Sequence, residues 1–312
     1  MMETEKKATR LGYGSALADL GDKYNFYVMD ADLSKSTMTD LFKQKYPDRF
    51  INCGIAEANM MSSAAGLSTL GIPVFASTFA MFAAGRAFEQ VRNAIAYPNL
   101  NVKIGATHAG ITVGEDGATH QCCEDIALMR AIPNIKIFCP ADYTEAYSCV
   151  EEALKINGPV YIRLGRYNVP VIFDKDNYKF EFGKAITLAD GKDIAIFTTG
   201  VMVAAALDAR KQLMLNGIDA AVINISTIKP IDCDSIVHYA SKCGKIITAE
   251  EHSIIGGLGS AVAEVLAERQ YAKLYRIGMH DEFGRSGKAS ELLDLYGLNA
   301  QNIIEKAKAM CR

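Results

Sequence analysis

The sequence predicts an α/β protein of two domains, each a mostly parallel sheet flanked by helices. The chain has 312 residues, which exceeds the usual size of a single hydrophobic core. Strand-like apolar runs alternate with helical patterns along the whole chain, and this alternation is typical of βαβ units and parallel sheets. Half of the residues are hydrophobic and 22% are charged, a composition that suits two large cores.

The strand-like runs form two series. The first series is NFYVMDAD, VKIGAT, IKIFCP and VYIRL, and the second is IAIFTTG, AAVINIS, KIITAEE and KLYRIG. Between them, Pro170, aromatic pairs and charged clusters interrupt the alternation. The sequence therefore predicts a first domain over residues 1–170, a linker over 171–188 and a second domain over 189–312.

Two helical patterns of the first series, AEANMMSSAAGLSTLG and FAMFAAGRAFEQVRNAIAY, are rich in Ala, Gly and Ser. Small residues let helix backbones approach closely, so these helices suit either a core or a subunit interface. The eight cysteines contain no CxxC pair, which gives neither a zinc motif nor a thioredoxin-type motif. We interpret Cys122-Cys123 as small residues packed near a loop.

Charge and hydropathy point to a small-molecule partner. The net charge is −3, from 33 basic and 36 acidic residues, and no dense basic block suggests a nucleic-acid or membrane surface. The N-terminus lacks the apolar segment of a secretion signal, and the longest weakly polar stretch, near 74–85, is too short to span a bilayer. We therefore expect a cytoplasmic protein.

The first candidate for chemistry is Glu57. It follows the strand-like segment Phe50–Asn52 and a turn at Gly54, and it begins an apolar helix that includes Met60. A poorly solvated carboxyl group in such a place suits proton transfer. A glutamate that only caps its own helix is the alternative.

The second candidate is the segment THAGITVGEDGATHQ, residues 107–121. It follows a strand and contains three glycines, so we expect a long loop at the carboxyl edge of a parallel sheet, where ligands bind in such folds. Its two histidines and two acids could bind hydroxyls and move protons; a structural loop with incidental histidines is the alternative. The third segment, EEHSIIGGLGS at 250–260, matches neither a Rossmann fingerprint nor a P-loop, and we expect a packing or turn role.

These segments together resemble the transketolase group of thiamine-diphosphate enzymes, specifically the half that holds the pyrimidine-binding and C-terminal domains. The resemblance is carried by GIAE at 54–57, STFAMF at 77–82, THAG and VGEDGATHQ within 107–121, RAIPNIKIFCPAD at 130–142 and EEHSIIGGLGSAVAE at 250–264. It covers nearly the whole chain in order. It implies a thiamine-diphosphate pyrimidine-binding domain followed by a transketolase C-terminal domain.

The resemblance also implies roles for particular residues toward the cofactor, thiamine diphosphate. Glu57 would hydrogen-bond the pyrimidine ring and so activate the cofactor for ketol transfer. Phe79 and Phe82 would pack around the same ring, although two ordinary core phenylalanines are the alternative. Asp32 corresponds to an acid beside the cofactor at the subunit interface, and Gly85 stands where a third aromatic is often found.

Substrate residues are implied in the same way. His108 and His120 would bind substrate hydroxyls and assist proton transfer, Asp116 would contact the C2 hydroxyl, and Arg10, Ser36 and Arg166 would bind the phosphate. Arginine suits that role because its planar fork binds phosphate bidentately. After His108, many family members carry Asp-Ser where this chain has Ala-Gly, so the substrate preference stays open.

The metal site of the family is missing from the sequence. The family holds Mg²⁺ and the diphosphate through a Gly-Asp-Gly motif and a later Asn in a separate N-terminal domain, and no such motif occurs in this chain. Asp190-Gly191 is interpreted as a turn, and the chain offers no set of oxygen ligands for a hard cation. We expect no metal ligands here.

We therefore expect a partner polypeptide, because the chain begins directly before the pyrimidine-type domain. The partner would be an N-terminal transketolase subunit with the Gly-Asp-Gly motif and the later Asn. This chain would homodimerise within an α₂β₂ enzyme that acts on sugar phosphates of the pentose phosphate pathway.

Other functions are open to the same fold. The β subunit of a 2-oxoacid dehydrogenase E1 component has the same two domains, but GEDGATHQ followed by RAIPN and CPAD favours transketolase. Deoxyxylulose-phosphate synthases normally contain their own diphosphate domain. A split thiamine-diphosphate enzyme for another ketose and a non-catalytic module of the same fold are further alternatives.

Overall fold

The computed structural model describes residues 5–312, which form three β-sheets and their flanking helices. The strands are β1 (Lys6–Ala8), β2 (Tyr27–Asp30), β3 (Phe50–Asn52), β4 (Val74–Phe79), β5 (Val102–Thr107), β6 (Lys136–Phe138), β7 (Val160–Arg163), β8 (Asn168–Pro170), β9 (Ile186–Ala189), β10 (Ile194–Thr198), β11 (Ala220–Asn224), β12 (Thr227–Lys229), β13 (Lys245–Ser253) and β14 (Lys273–Met279). The helices are α1 (Thr9–Leu20), α2 (Ser34–Thr37), α3 (Asp40–Lys45), α4 (Glu57–Ser68), α5 (Phe88–Gln90), α6 (Asp125–Arg130), α7 (Tyr143–Lys155), α8 (Met202–Leu215), α9 (Cys233–Cys243), α10 (Leu258–Glu268), α11 (Ala289–Leu295) and α12 (Ala300–Cys311). Shorter segments are 3₁₀-helical (Pro47–Arg49, Ile111–Asp116) or π-helical (Phe82–Arg86, Val91–Ala96).

The first domain is built on a seven-stranded sheet with the order β12-β6-β7-β5-β4-β2-β3. The strands from β2 to β7 are all parallel. Side chains alternate between two cores: Val28 faces α1, α3 and α7, whereas Met29 faces α4 and the π-helical segments. Because both faces are covered, the central strands β4 and β5 are buried along their whole length.

The second domain is built on a five-stranded sheet with the order β14-β13-β10-β11-β9. Its strands are parallel except for β9, which pairs antiparallel with β11 at the edge. Helices α8 and α12 pack on one face, and α9 and α10 pack on the other. The prediction of two domains, each a mostly parallel sheet flanked by helices, is confirmed.

The two domains share a buried junction. Strand β12, from the second half of the chain, pairs antiparallel with β6 at the edge of the first-domain sheet. Glu145 on α7 is fully buried and accepts hydrogen bonds from Asn224 Nδ2 at 2.9 Å and from Ser226 Oγ at 2.6 Å. Elements on either side of the linker therefore interleave, and the domain limits at 170 and 189 stay a prediction.

The structure also differs from the sequence-based expectation in the first domain. All eight apolar runs predicted as strands contain strands, whereas β1, β4 and β8 are not among these predictions. In β4, the polar Ser77 shares a hydrogen bond of 2.7 Å with Tyr13 Oη. The helix expected over FAMFAAGRAFEQVRNAIAY is two π-helical segments around α5. Gly85 lies in the first of these segments, and the backbone freedom of glycine weakens a regular α-helix.

Between residues 5 and 312, no helix is both long enough and apolar enough to cross a membrane. All eight cysteines are free thiols. Burial raises the pKa of the Cys122 and Cys123 thiols, and Cys122 accepts a backbone hydrogen bond from Gly110 at 2.8 Å. Both observations fit small residues packed beneath a loop.

Candidate active site

Glu57 lies at the carboxyl edge of the first sheet, where β3 has ended and α4 begins. The chain turns at Gly54, whose φ of +69° is in the left-handed region, and the Gly54 amide donates to Asn52 Oδ1 at 3.0 Å. This strand-turn-helix arrangement is the one expected from the sequence. It leaves the Glu57 side chain only 2% exposed.

The carboxylate of Glu57 is paired with Arg86. Arg86 Nη1 donates to both carboxylate oxygens, each at 2.9 Å, and such charge-assisted bonds offset the cost of burying a charge. The Arg86 side chain is itself 52% exposed, and its guanidinium lies 4.5 Å from the centroid of the Phe82 ring. Among the described residues, no α4 amide donates to Glu57, so helix capping does not account for this carboxylate.

Arg86 was absent from the sequence-based candidates. It lies 29 positions from Glu57, and no local pattern connects the two residues. The available signal was weak: Arg86 is a cation in a segment otherwise rich in small and apolar residues.

Phe79 and Phe82 form an aromatic wall beside this ion pair. Phe79 ends β4, and its ring stacks with the Phe82 ring at a centroid distance of 5.6 Å. The His108 ring also stacks on Phe79, with a centroid distance of 3.8 Å. The His120 and Phe82 rings pack edge to face, with a centroid distance of 5.6 Å. The structure therefore brings together four predicted residues, and Arg86 connects them to Glu57.

His108 is buried immediately after β5. Its backbone has a φ of +57°, and its Nδ1 shares a hydrogen bond of 2.9 Å with Thr107 Oγ1. Burial, assisted by the charges of Arg10 and Arg166 and by the nearby His120, lowers the pKa of His108 to about 3. The imidazole is therefore neutral near pH 7, with one ring nitrogen able to accept a proton.

The two predicted phosphate-binding arginines line one cavity, and Ser36 contacts one of them. Arg10 Nη1 donates to the Ser36 carbonyl at 2.8 Å, and Arg166 Nη1 donates to the Val113 carbonyl at 2.6 Å. A cavity of about 300 Å³ is lined by both arginines, Thr112, Val113, Glu115, Tyr167, Asn168 and Ala289. Burial and the charge of Arg166 lower the pKa of Arg10, which indicates two cations close to each other.

Asp116 and Asp32 lie away from the aromatic wall. Asp116 is half-exposed, and its carboxylate lies 3.6 Å from Nη1 of Arg166, one of the two arginines that line the cavity. Asp32 is exposed beyond the end of β2, and its Oδ1 accepts from Asn52 Nδ2 at 2.9 Å. Among the described residues, no hydrogen bond joins either aspartate to His108 or His120.

The GGLG segment has the packing role that the sequence predicts. Glu250 on β13 is fully buried, and its carboxylate accepts from the amides of Leu258 at 2.6 Å and Gly259 at 2.7 Å, at the start of α10. The helix N-terminus that might have bound an anion is therefore filled by the protein's own carboxylate. Across residues 5–312, no group of three or more His, Cys, Asp or Glu side chains could hold a metal ion.

Comparison with known proteins identifies the family to which both domains belong. The family model for the transketolase pyrimidine-binding domain matches residues 5–171, and the model for the transketolase C-terminal domain matches residues 183–303. A protein of Methanocaldococcus jannaschii that is named a transketolase C-terminal section is 52% identical over 303 residues, which cover 96% of this chain and 95% of that protein.

Two further proteins extend the comparison. A 6-deoxy-6-sulfo-D-fructose transketolase subunit of a Clostridium species is 42% identical over 279 residues, which cover 89% of this chain and 86% of that subunit. A solved structure described as a split gene transketolase, inactive β4 tetramer, has a TM-score of 0.91 and 50% identity, and the match covers 97% of this chain and 98% of that one. This chain therefore belongs to the transketolase family of thiamine-diphosphate-dependent proteins, with a pyrimidine-binding domain followed by a C-terminal domain.

Proposed function

We propose that this chain is the C-terminal subunit of a two-chain transketolase, which transfers a two-carbon ketol unit from a ketose phosphate to an aldose phosphate. The observation that carries the proposal is the Glu57 carboxylate, buried at the carboxyl edge of a parallel sheet and connected through Arg86 to stacked aromatic rings. Ligands of open α/β folds bind at that edge.

The chemistry of this edge fits the aminopyrimidine half of thiamine diphosphate. A flat heteroaromatic ring with a nitrogen acceptor needs aromatic packing and a carboxyl group, and Phe79, Phe82 and Glu57 offer both. Asp32 would lie at the exposed side of the ring. When bound, the cofactor supplies the carbon nucleophile that carries the ketol unit.

The residues of this chain would orient the cofactor and move protons. Glu57 would hold a proton at the ring nitrogen that faces it, which is general acid-base work by a positioned carboxyl group. His108, neutral near pH 7 because its pKa is lowered to about 3, would accept a hydrogen bond from a sugar hydroxyl and so assist proton transfer. His120 would bind a second hydroxyl, and Asp116 would accept a hydrogen bond from the C2 hydroxyl.

The cavity between the two arginines would bind the anionic end of the sugar. Arg10 and Arg166 both line it, and Ser36 accepts a bond from Arg10. An arginine fork suits phosphate or another tetrahedral anion. The Clostridium relative is named for a sulfonated ketose, which supports an anionic end group as the shared feature of the substrates.

A partner subunit would hold the diphosphate and Mg²⁺. The sequence contains no Gly-Asp-Gly motif, and the described residues offer no metal-binding group. We infer that an N-terminal transketolase subunit supplies that motif and a later Asn in a cytoplasmic α₂β₂ enzyme. The relative described as an inactive β4 tetramer supports self-association of this chain without activity when it is alone.

The experiment is a reconstitution. The chain is mixed with the product of an adjacent reading frame that contains Gly-Asp-Gly and a downstream Asn, and thiamine diphosphate, Mg²⁺ and a pair of pentose phosphates are added. We expect ketol transfer only when both chains are present. Activity of either chain alone contradicts the two-chain proposal, and no activity from the mixture contradicts the transketolase assignment.

A further inference from the structure

The second domain contributes none of the candidate site residues, which all lie between residues 10 and 166. The second domain nevertheless supports a loop of the first domain, residues 110–121, which contains Asp116 and His120. Ile111 of this loop is fully buried within the hydrophobic core of the second domain, and its 3₁₀ segment packs against α11. A first-domain loop therefore has its apolar anchor in the other domain.

Polar contacts fix the far end of the 110–121 loop to the same domain. Gln121 is buried, and its Nε2 donates to the Arg285 carbonyl at 2.8 Å. Ser286 Oγ donates to the Glu115 carbonyl at 2.7 Å. The loop thus lies against the segment that precedes α11.

Glu251 makes the contact at the start of the loop. It lies near the end of β13, is 4% exposed, and its Oε1 accepts the amide of Thr112 at 2.6 Å. Gly110 has a φ of +78°, and a Cβ there would lie 2.2 Å from the Glu251 carboxyl carbon. Glycine is therefore required at this position both by the backbone conformation and by the close approach of the carboxylate.

Other groups hold Glu251 in place. Arg163 Nη2 donates to the Glu251 carbonyl at 2.9 Å, while Arg163 Nε binds both carboxylate oxygens of Asp125. All three side chains are buried. Arg163 therefore fixes the backbone of Glu251, and from this position the buried carboxylate reaches the Thr112 amide.

The adjacent residue, Glu250, makes different contacts. Glu250 is equally buried, but within residues 5–312 its carboxylate accepts hydrogen bonds only from amides of α10, in its own domain. Two neighbouring buried glutamates thus separate into one that caps a helix of the second domain and one that reaches the loop of the first. This pair provides a matched control.

We propose that Glu251 is a positioning residue: it fixes the start of the 110–121 loop and so places Asp116 and His120 relative to His108 and Arg166. The structural part of this inference stands on the contacts above. Its catalytic consequence rests on the proposed function.

Hydrogen exchange in the full-length chain tests the structural part. In the unmodified chain the Thr112 amide should be protected. Glu251→Ala should accelerate its exchange by about tenfold or more, since a hydrogen bond to a charged acceptor is lost. Glu251→Gln keeps an acceptor oxygen and should retain most of the protection, and Glu250→Gln should leave the loop unchanged relative to the rest of the chain.

Several results would overturn the inference. One is exchange of the Thr112 amide at the rate of an unfolded peptide in the unmodified chain. Another is exchange of the loop that Glu251→Ala leaves unchanged, and a third is equal loss of protection in the Gln and Ala variants. Should the Ala variant not fold, Glu251→Met, which keeps the length of the side chain without an acceptor oxygen, takes its place and should lose the protection of the Thr112 amide.

Kinetics of the reconstituted enzyme test the catalytic consequence. We expect Glu251→Ala to lower kcat/KM for sugar phosphates by about tenfold or more, with the dissociation constant of thiamine diphosphate unchanged and near-normal kcat/KM for Glu251→Gln. An equal loss in both variants contradicts the positioning role. An inactive unmodified enzyme contradicts the proposed function instead and leaves the exchange result as it stands.

Discussion

Arg86 donates from a single guanidinium nitrogen to both carboxylate oxygens of Glu57, each at 2.9 Å. The Glu57 side chain is 2% exposed and the Arg86 side chain 52% exposed, so the ion pair extends from the buried part of the site to its solvent-exposed surface. Arg86 therefore fixes the orientation of Glu57 and supplies its counter-charge.

The first prediction concerns this ion pair. Arg86→Ala is expected to lower the free energy of unfolding by about 1–3 kcal/mol, because a buried carboxylate loses its donor. In a Glu57→Gln background, Arg86→Ala should lower the free energy of unfolding much less. Urea titrations of the four proteins measure the coupling between the two positions.

A control for this cycle is Arg92→Ala. Arg92 is exposed, and its Nη1 contacts the neighbouring Asn93. Its removal should change the free energy of unfolding by no more than about 0.5 kcal/mol. If Arg86→Ala costs the same with and without Glu57, the pair does not have the role assigned to it.

The second prediction concerns pH. Burial, assisted by the charges of Arg10 and Arg166, lowers the pKa of His108 to about 3, whereas a histidine in the unfolded chain titrates near about 6.5. Between these two values the unfolded state binds the extra proton, so the stability that His108 contributes above the upper value is lost as the pH falls through this window.

His108→Asn should therefore weaken the acid dependence of the unfolding free energy below about pH 6.5. The imidazole resonances of His108 should not shift between about pH 5 and 8, the range in which an ordinary histidine titrates. His280→Asn, at an exposed position, is the control. A midpoint near neutrality for His108 would show that its ring is not held neutral.

The third prediction concerns the cationic cavity. In the reconstituted enzyme, Arg166→Ala should raise KM for a phosphorylated ketose by about tenfold or more, since a charge-assisted contact is lost. An unphosphorylated ketose should be affected far less, because it makes no contact with the guanidinium. Steady-state kinetics with both substrates give the comparison, and an equal rise in KM for the two would place the anion elsewhere.

The strand-turn-helix segment around Glu57 could be predicted because its signals are local. Gly54 marks the turn, and the helix begins where the apolar pattern begins. The long loop after β5 followed from its glycines and from the strand before it. These features depend on neighbours in the chain, so the sequence alone is sufficient to predict them.

The rest depends on contacts between distant parts of the chain. Arg86 reaches Glu57 across 29 positions through π-helical turns that no apolar pattern signals, and Glu251 reaches Thr112 across 139 positions. Strand β12 has three residues and pairs across the domain junction, so it gives no separate signal. Such partners are chosen by tertiary packing rather than by local propensity.

Glu57→Gln in the reconstituted enzyme tests the proposed half-site most directly. Glutamine keeps the shape but cannot hold and release the proton, so turnover should fall by about 10²-fold or more. Glu89→Gln, at an exposed glutamate of α5, should leave turnover unchanged. Near-normal ketol transfer by the Glu57→Gln enzyme, with the N-terminal subunit, thiamine diphosphate and Mg²⁺ present, would contradict the role assigned to Glu57.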